Sequence, residues 1–347
     1  MNAGSKRVAA GHILLAAFAA YLGWYFLASY LDHRQPLKIQ EKKLTPHDDL
    51  FAIDGRPDGN KIAVGKFGLI LLSSDGGKSW QQRPTGTTQA LSGVSFADRT
   101  HGFVVGSGGT VLATDDGGTT WRAQNSGTKD QLLAVYAVSP AQVFAVGAFG
   151  TLLSTSDGGR SWNKHEMKWD VLIERIVKEG GLVEPNLNAV YFNSPKSGWI
   201  AGEFGLVLHT KDGGQTWISQ RYGSDLPQLY AVKFVDDRHG LTMGQAGSLI
   251  QSTDGGQGWS AVELDIKRDL YQVALEGDSG VIVGDGVVLV SRDGGSSWRP
   301  MSSARTDQWL SGVVLKNSEA IVVGGAGTTQ SLVLDNVKKP ETENKAP

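Results

Sequence analysis

Short runs of alternating apolar and polar residues fill most of this chain. Residues 91–121 read LSGVSFADRTHGFVVGSGGTVLATDDGGTTW, and residues 187–217 read LNAVYFNSPKSGWIAGEFGLVLHTKDGGQTW. In both segments, apolar runs are separated by groups rich in Gly, Asp and Ser. Alternation with period two between such breakers indicates β-strands. The pattern predicts three strands before each final tryptophan and a fourth strand that begins at it.

The octet that ends each of these segments, SSDGGKSW in its first copy, recurs along the chain. Its six copies end at Trp80, Trp121, Trp162, Trp217, Trp259 and Trp298, with spacings of 41, 41, 55, 42 and 39 residues. A period of about 40–45 residues with four strands is typical of a propeller blade. The fold class predicted is therefore all-β, a seven-bladed β-propeller, because seven units begin at Leu50, Leu91, Leu133, Leu187, Leu229, Leu270 and Leu310.

The seventh unit has three strand-like runs but neither an octet nor a fourth strand. A further strand-like run, LKIQEKK at residues 37–43, precedes the first unit. We predict that it closes the ring as the outer strand of blade seven, paired with the strand around 330–334, because closure protects sheet edges. The propeller then spans residues 37–337, and residues 338–347 form a disordered tail.

The octets are predicted to be structural hairpins rather than sites. Asp-Gly is a strong hairpin signal, and the aspartate can accept hydrogen bonds from its own turn. Each tryptophan is large enough to wedge against the neighbouring hairpin. These roles fall on Asp75, Trp80, Asp116, Trp121, Asp157, Trp162, Asp212, Trp217, Asp254, Trp259, Asp293 and Trp298.

One face of the propeller carries the candidate partner-binding residues. The loops between the second and third strands share this face with the connections between blades, and three of these loops have Phe where polar residues are usual. The 163–186 connection adds an insertion between blades three and four. The alternatives are rings folded over the channel and an insertion packed on its own blades. The partner-binding candidates are Lys66, Phe67, Phe149, Trp169, Ile173, Ile176, Glu203, Phe204 and Gln245.

The N-terminus predicts one transmembrane anchor helix over residues 8–31, after a short tail at 1–7 and before a linker at 32–36. This stretch has no formal charge, and about 20 apolar residues span a bilayer. The apolar run is too long for the core of a cleaved signal peptide. One stripe of small residues favours packing against a partner helix: His12, Ala16, Ala19, Ala20 and Gly23.

Composition excludes several classes of chemistry. The formal net charge is −2, which gives no sign of nucleic-acid binding, and the chain has no cysteine. Its seven histidines show no metal-ligand spacing, and the F/Y-R-I-P motif expected of a sialidase is absent. We therefore predict no catalytic residues, no metal, no cofactor and no small-molecule substrate. A sialidase-like glycosidase is the alternative.

The octets resemble the Asp-box of BNR-type propellers, and the whole unit, with V-G-x-x-G before the octet, resembles the Ycf48/Hcf136 family of photosystem II assembly factors. The resemblance implies a non-catalytic scaffold that helps to assemble an integral membrane protein complex. It also implies a propeller outside the cytoplasm, hence a single-pass protein of the inner (cytoplasmic) membrane with a periplasmic propeller. The partner stays open between a photosystem and, in a non-photosynthetic bacterium, another complex such as a transporter.

Overall fold

The computed structural model describes residues 40–178, 184–221, 223, 226–304 and 307–334. The predicted anchor at 8–31, with its packing stripe, lies outside the described residues, as do the segments 1–7, 32–36 and 338–347. None of the helices in the described part has the length and apolarity needed to cross a membrane.

Seven antiparallel sheets follow one another along the chain, as the repeat predicted. Blade one contains β1 (Gln40–Glu41), β2 (Leu50–Gly55), β3 (Lys61–Gly65), β4 (Ile70–Ser73) and β5 (Gln81–Arg83). Blade two contains β6 (Leu91–Phe96), β7 (Gly102–Gly106), β8 (Val111–Thr114) and β9 (Arg122–Gln124). Blade three contains β10 (Leu132–Ala137), β11 (Val143–Gly147), β12 (Leu152–Thr155) and β13 (Asn163–Lys164).

Blade four contains β14 (Leu187–Phe192), β15 (Gly198–Gly202), β16 (Val207–Thr210) and β17 (Ile218–Arg221). Blade five contains β18 (Leu229–Phe234), β19 (Gly240–Gly244), β20 (Leu249–Ser252) and β21 (Ser260–Ala261). Blade six contains β22 (Leu270–Glu276), β23 (Ser279–Gly284), β24 (Val287–Ser291) and β25 (Arg299–Pro300). Blade seven contains β26 (Leu310–Lys316), β27 (Glu319–Gly324) and β28 (Thr329–Val333). Two short helices, α1 (Trp169–Leu172) and α2 (Glu174–Lys178), lie between blades three and four.

A β-bulge after the first residue of each inner strand explains the L-x-x-V-x-F pattern. The pairing register shifts between Leu91 and Gly93, and at the same place in the other six blades. Because a bulge re-aims the side chains that follow it, the first residue is buried between blades and the fourth is buried or, as Val94, half-buried there. The second, third and fifth then line the axis. Blade three begins one residue earlier than predicted, since Leu132 is the fully buried first residue.

The core lies between neighbouring blades. Ile62 and Ile70 of blade one pack with Leu91, Val104 and Trp121 of blade two in one buried cluster. Each such side chain contributes about 1.5–3 kcal/mol of transfer free energy when fully buried. The octet tryptophan therefore acts as a wedge between blades, as predicted.

The prediction of the closing strand named the wrong partner strand. Gln40–Glu41 lies beside β5 of blade one rather than β28 of blade seven, and the Lys42 N–H donates to the Trp80 carbonyl at 2.8 Å. Residues 37–39 are outside the described part. The blade-seven sheet has three strands within the described residues.

The ring closes by packing of the inner strand of blade one against blade seven. Leu50 and Ile53 of blade one are buried with Ile321 and Val323 of blade seven. The Ser311 Oγ also donates to the Leu50 carbonyl at 3.0 Å. Because burial of apolar side chains joins these two blades, closure does not require a shared strand.

Candidate binding face and axial cavity

The octets form self-contained hairpins. In blade two, Thr114 Oγ1 donates to Asp116 Oδ1 at 2.8 Å and accepts the Gly118 N–H at 2.9 Å. Asp116 Oδ1 accepts the Thr120 N–H at 2.9 Å, and Asp116 Oδ2 accepts the Thr120 hydroxyl at 2.6 Å. Gly117 and Gly118 have φ of 73° and 84°, where only glycine is free of strain. The carboxylate is thus satisfied within its own turn.

The other five octets repeat this arrangement through Asp75, Asp157, Asp212, Asp254 and Asp293. In blade five, Gly258 replaces the residue that supplies the hydroxyl, and only its N–H bonds Asp254, at 2.8 Å. These contacts support a structural role for the octets.

Replacement of Asp116 by Ala is expected to lower the free energy of unfolding by about 1–3 kcal/mol. The backbone and hydroxyl donors of Thr120 lose their acceptor, while the hairpin keeps its glycines. Urea denaturation of D116A beside the wild type measures the effect. An unchanged midpoint would show that the octet bonds contribute nothing to stability.

Acid should weaken the fold between about pH 4 and pH 2. Hydrogen bonds from Ser79, Ser161 and Thr216 lower the pKa values of Asp75, Asp157 and Asp212 to about 2, from an ordinary value of 3.8. A depressed pKa in the folded state gives stability above the unfolded pKa that is lost as pH falls through the folded one. Thermal melting over this pH range should show the loss, and an Asp157→Asn variant should show a shallower one.

The second-to-third strand loops are tight turns with one residue in the left-handed region. We call the face that carries them, together with the blade connections, the connection face. Phe67, Phe149 and Phe204 have φ of 56°, 53° and 58°, whereas blade two has Gly108 there, at 63°. A bulky non-glycine residue with such a φ is an outlier, and strain of this kind concentrates at functional sites.

Two of these phenylalanines are exposed. Phe67 is 69% and Phe149 is 65% exposed, which is unusual for rings at the tips of short turns. Phe204 is half-buried against the blade-four cluster. Lys66 is exposed, with its Nζ 5.3 Å from the centre of the Phe67 ring and 3.5 Å from Asp49 Oδ2. Gln245 is also exposed, at the equivalent turn of blade five.

Glu203 has a structural task on this face. Its Oε2 accepts the Asn186 N–H at 2.9 Å, and its Oε1 accepts from the Asn186 side chain at 3.0 Å. Asn186 Oδ1 in turn accepts the Phe149 N–H at 3.1 Å. This chain of bonds fixes the turn that presents Phe149.

The insertion residues Trp169, Ile173 and Ile176 are not available to a partner. They are 6%, 0% and 1% exposed and pack against blades three and four. Trp169 lies over Gly150, where an added Cβ would be 2.6 Å from its Nε1. The prediction of partner contact by these three side chains is therefore wrong, because they pack on apolar residues of the chain itself.

The propeller axis holds a cavity of about 450 Å³ that sequence reasoning did not single out. The fifth residues of the seven inner strands surround its octet end, and several tie one blade to the next. Asp54 Oδ2 accepts the Phe96 N–H at 2.7 Å, and Ser95 Oγ accepts the Ala137 N–H at 3.1 Å. The hydroxyl of Tyr191 donates to the Phe234 carbonyl at 2.9 Å. The signal was in the sequence, since this position varies while its neighbours repeat: Asp54, Ser95, Tyr136, Tyr191, Lys233, Ala274 and Val314.

Among its described lining residues, the cavity lacks the carboxylate pair of a glycosidase. Asp54 is the one acidic residue among the described residues that line it, and burial raises its pKa to about 6. Glycoside hydrolysis usually needs two carboxyl groups on either side of the scissile bond. Across the described part of the chain, no three His, Asp or Glu side chains are grouped to hold a metal ion.

The seven sheets and the octet hairpins together define the chain as a seven-bladed propeller. The family model described as "Photosynthesis system II assembly factor YCF48" matches residues 78–138, 127–228 and 225–312. The chain therefore belongs to the YCF48 family of photosystem II assembly factors. A search of curated proteins found no match.

Solved structures agree on the fold. YCF48 from Cyanidioschyzon merolae is 21% identical over 86% of this chain and 99% of its own, with a TM-score of 0.70. YCF48 bound to a D1 peptide is 16% identical over 87% of this chain and 96% of its own, with a TM-score of 0.67. A GH74 xyloglucanase from Xanthomonas campestris is 13% identical over 83% of this chain and 52% of its own, with a TM-score of 0.65. At these identities the likeness shows a shared propeller and not a shared activity.

Proposed function

We propose that this protein is a non-catalytic scaffold that binds an integral membrane protein complex through its connection face and acts as an assembly or accessory factor. The observation that carries the proposal is the pair of exposed rings at Phe67 and Phe149, held in a strained backbone conformation. A glycine would remove this strain, as it does at Gly108. Since two rings are kept at a cost to the fold, we infer that they serve recognition.

Family membership supports the kind of partner. One YCF48 structure is bound to a D1 peptide. We extend this to the present chain as binding of an extramembrane segment of a membrane complex. The complex is a photosystem or another assembly such as a transporter.

The proposal includes a membrane anchor. Residues 8–31 form the uncharged, apolar stretch that supports it. In this proposal the stretch places the protein in the inner membrane with the propeller on the periplasmic side. His12, Ala16, Ala19, Ala20 and Gly23 then pack against a helix of the partner. Cell fractionation and protease protection of the full chain test the location, and a protein released by salt alone would contradict it.

The glycosidase alternative is not favoured, because the cavity offers Asp54 without a second acid among its described residues. It makes a different prediction, namely hydrolysis of a polysaccharide such as xyloglucan that an Asp54→Asn variant abolishes.

Site-specific crosslinking tests the docking face. A photocrosslinker at position 67 or 149 should capture a membrane protein in cells, identified by mass spectrometry. The same group at Lys78 or Gln215, on exposed octets, should not. Capture from the octet positions alone would show that the partner binds the opposite face.

A further inference from the structure

The octet end of the axial cavity contains two polar groups that the fold does not use. Asp54, Ser95 and Tyr191 join neighbouring blades through backbone hydrogen bonds. By contrast, the Lys233 ammonium and the Tyr136 hydroxyl have no hydrogen-bond partner in the described part of the chain. Both atoms keep some accessible surface, so a ligand that enters the cavity can reach them.

Both groups are held against one aromatic ring. Lys233 Nζ lies 4.3 Å from the centre of the Tyr191 ring, and the Tyr136 ring lies 5.3 Å from it, edge to face. They belong to blades three, four and five, which follow one another around the axis. Tyr191 therefore contacts both the side chain that carries the ammonium and the side chain that carries the hydroxyl.

Both groups of this pair are hydrogen-bond donors. Lys233 can only donate, and burial raises the pKa of Tyr136, so that its hydroxyl stays protonated and can donate too. Two donors, one of them a cation, are complementary to an anionic oxygen group. The negative group that faces them is Asp54 of blade one, whose two oxygens already accept the Gly55 and Phe96 N–H groups.

We propose that the axial cavity is a binding site for a carboxylate, held by Lys233 and Tyr136. The carboxylate comes either from a small organic acid or from an acidic side chain of a bound polypeptide. A cavity of about 450 Å³ is large enough for either. This site is separate from the connection-face rings, so the proposal stands independently of the docking function above.

Titration calorimetry of the purified full chain in detergent tests the site with two probes. One is succinate, and the other is the blocked tripeptide acetyl-Gly-Glu-Gly-amide, with its Gln analogue as the neutral comparison. Saturable binding of succinate alone identifies a small acid as the ligand. Saturable binding of the Glu peptide, but not the Gln peptide, identifies a polypeptide side chain.

Three variants test how Lys233, Tyr136 and Asp54 affect the affinity for the probe. Lys233→Met should weaken the bound probe about tenfold or more, because a charge-assisted hydrogen bond is lost. Tyr136→Phe should weaken it severalfold while it keeps the ring contact. Asp54→Asn should tighten it, since the opposing negative charge is removed. Lys78→Met, on an exposed octet, serves as the matched control and should change nothing.

Two results would overturn the proposal. One is that neither probe saturates in the millimolar range with a folded wild type. The other is that Lys233→Met and Tyr136→Phe both bind as the wild type does, which would place the carboxylate elsewhere. If Lys233→Met fails to fold, Tyr136→Phe and Asp54→Asn still decide the matter, because their expected effects have opposite signs.

Discussion

Replacement of Phe67 and Phe149 by Gly is expected to weaken partner capture strongly while the fold stays as stable as before or becomes more stable. Capture should fall about tenfold or more, because aromatic anchors carry most of the energy of an interface. At φ of 56° and 53° glycine removes a backbone strain of about 1–2 kcal/mol. The greater freedom of unfolded glycine offsets part of this gain. Co-purification in mild detergent and urea denaturation measure the two effects on the same double variant.

Ala246 offers a matched control on the same face. It occupies the equivalent turn position of blade five with φ of 55° but has no ring. Ala246→Gly should therefore relieve similar strain without any loss of capture. A double Phe variant that keeps its partner would refute the docking face, and one that loses both partner and stability would make the rings structural.

A single methyl group at Gly109 should destabilise the propeller by about 3–5 kcal/mol, the range of severe core mutations. A Cβ there would lie 2.1 Å from the Thr128 carbonyl oxygen, and the residue has φ of 69°. The carbonyl belongs to the connection between blades two and three. The connection must move away, and its contacts with the turn are lost. Urea denaturation of Gly109→Ala measures the cost.

Gly127 separates the steric effect from the backbone effect. Its φ is 74°, but nothing lies within 4 Å of an added Cβ. Gly127→Ala should thus cost only the left-handed strain of about 1–2 kcal/mol. Equal losses in the two alanine variants would mean that close approach of the blade connection is unimportant.

The sequence alone determined the architecture, because the same strand pattern recurs in all seven units and the same octet in six of them. The octets carry their own turn chemistry in Asp116 and its glycines, so the hairpins and the blade count follow from residues close together in the chain. The exposed Phe67 and Phe149 were also identified from local pattern, since apolar residues at short loop tips are unusual.

Tertiary structure decided what local pattern leaves open. An apolar stripe such as that of Ile173 and Ile176 has the same pattern whether it packs on its own chain or on a partner. Only the position of blades three and four showed that it packs on its own chain. The strand-like run at 37–43 contains no signal for the blade with which it pairs. In the fold, Gln40–Glu41 lies beside β5, the outer strand of blade one. The cavity residues Asp54, Tyr136 and Lys233 lie on different blades, far apart in sequence. Only closure of the ring brings them around one axis, which is why their common site became visible in three dimensions.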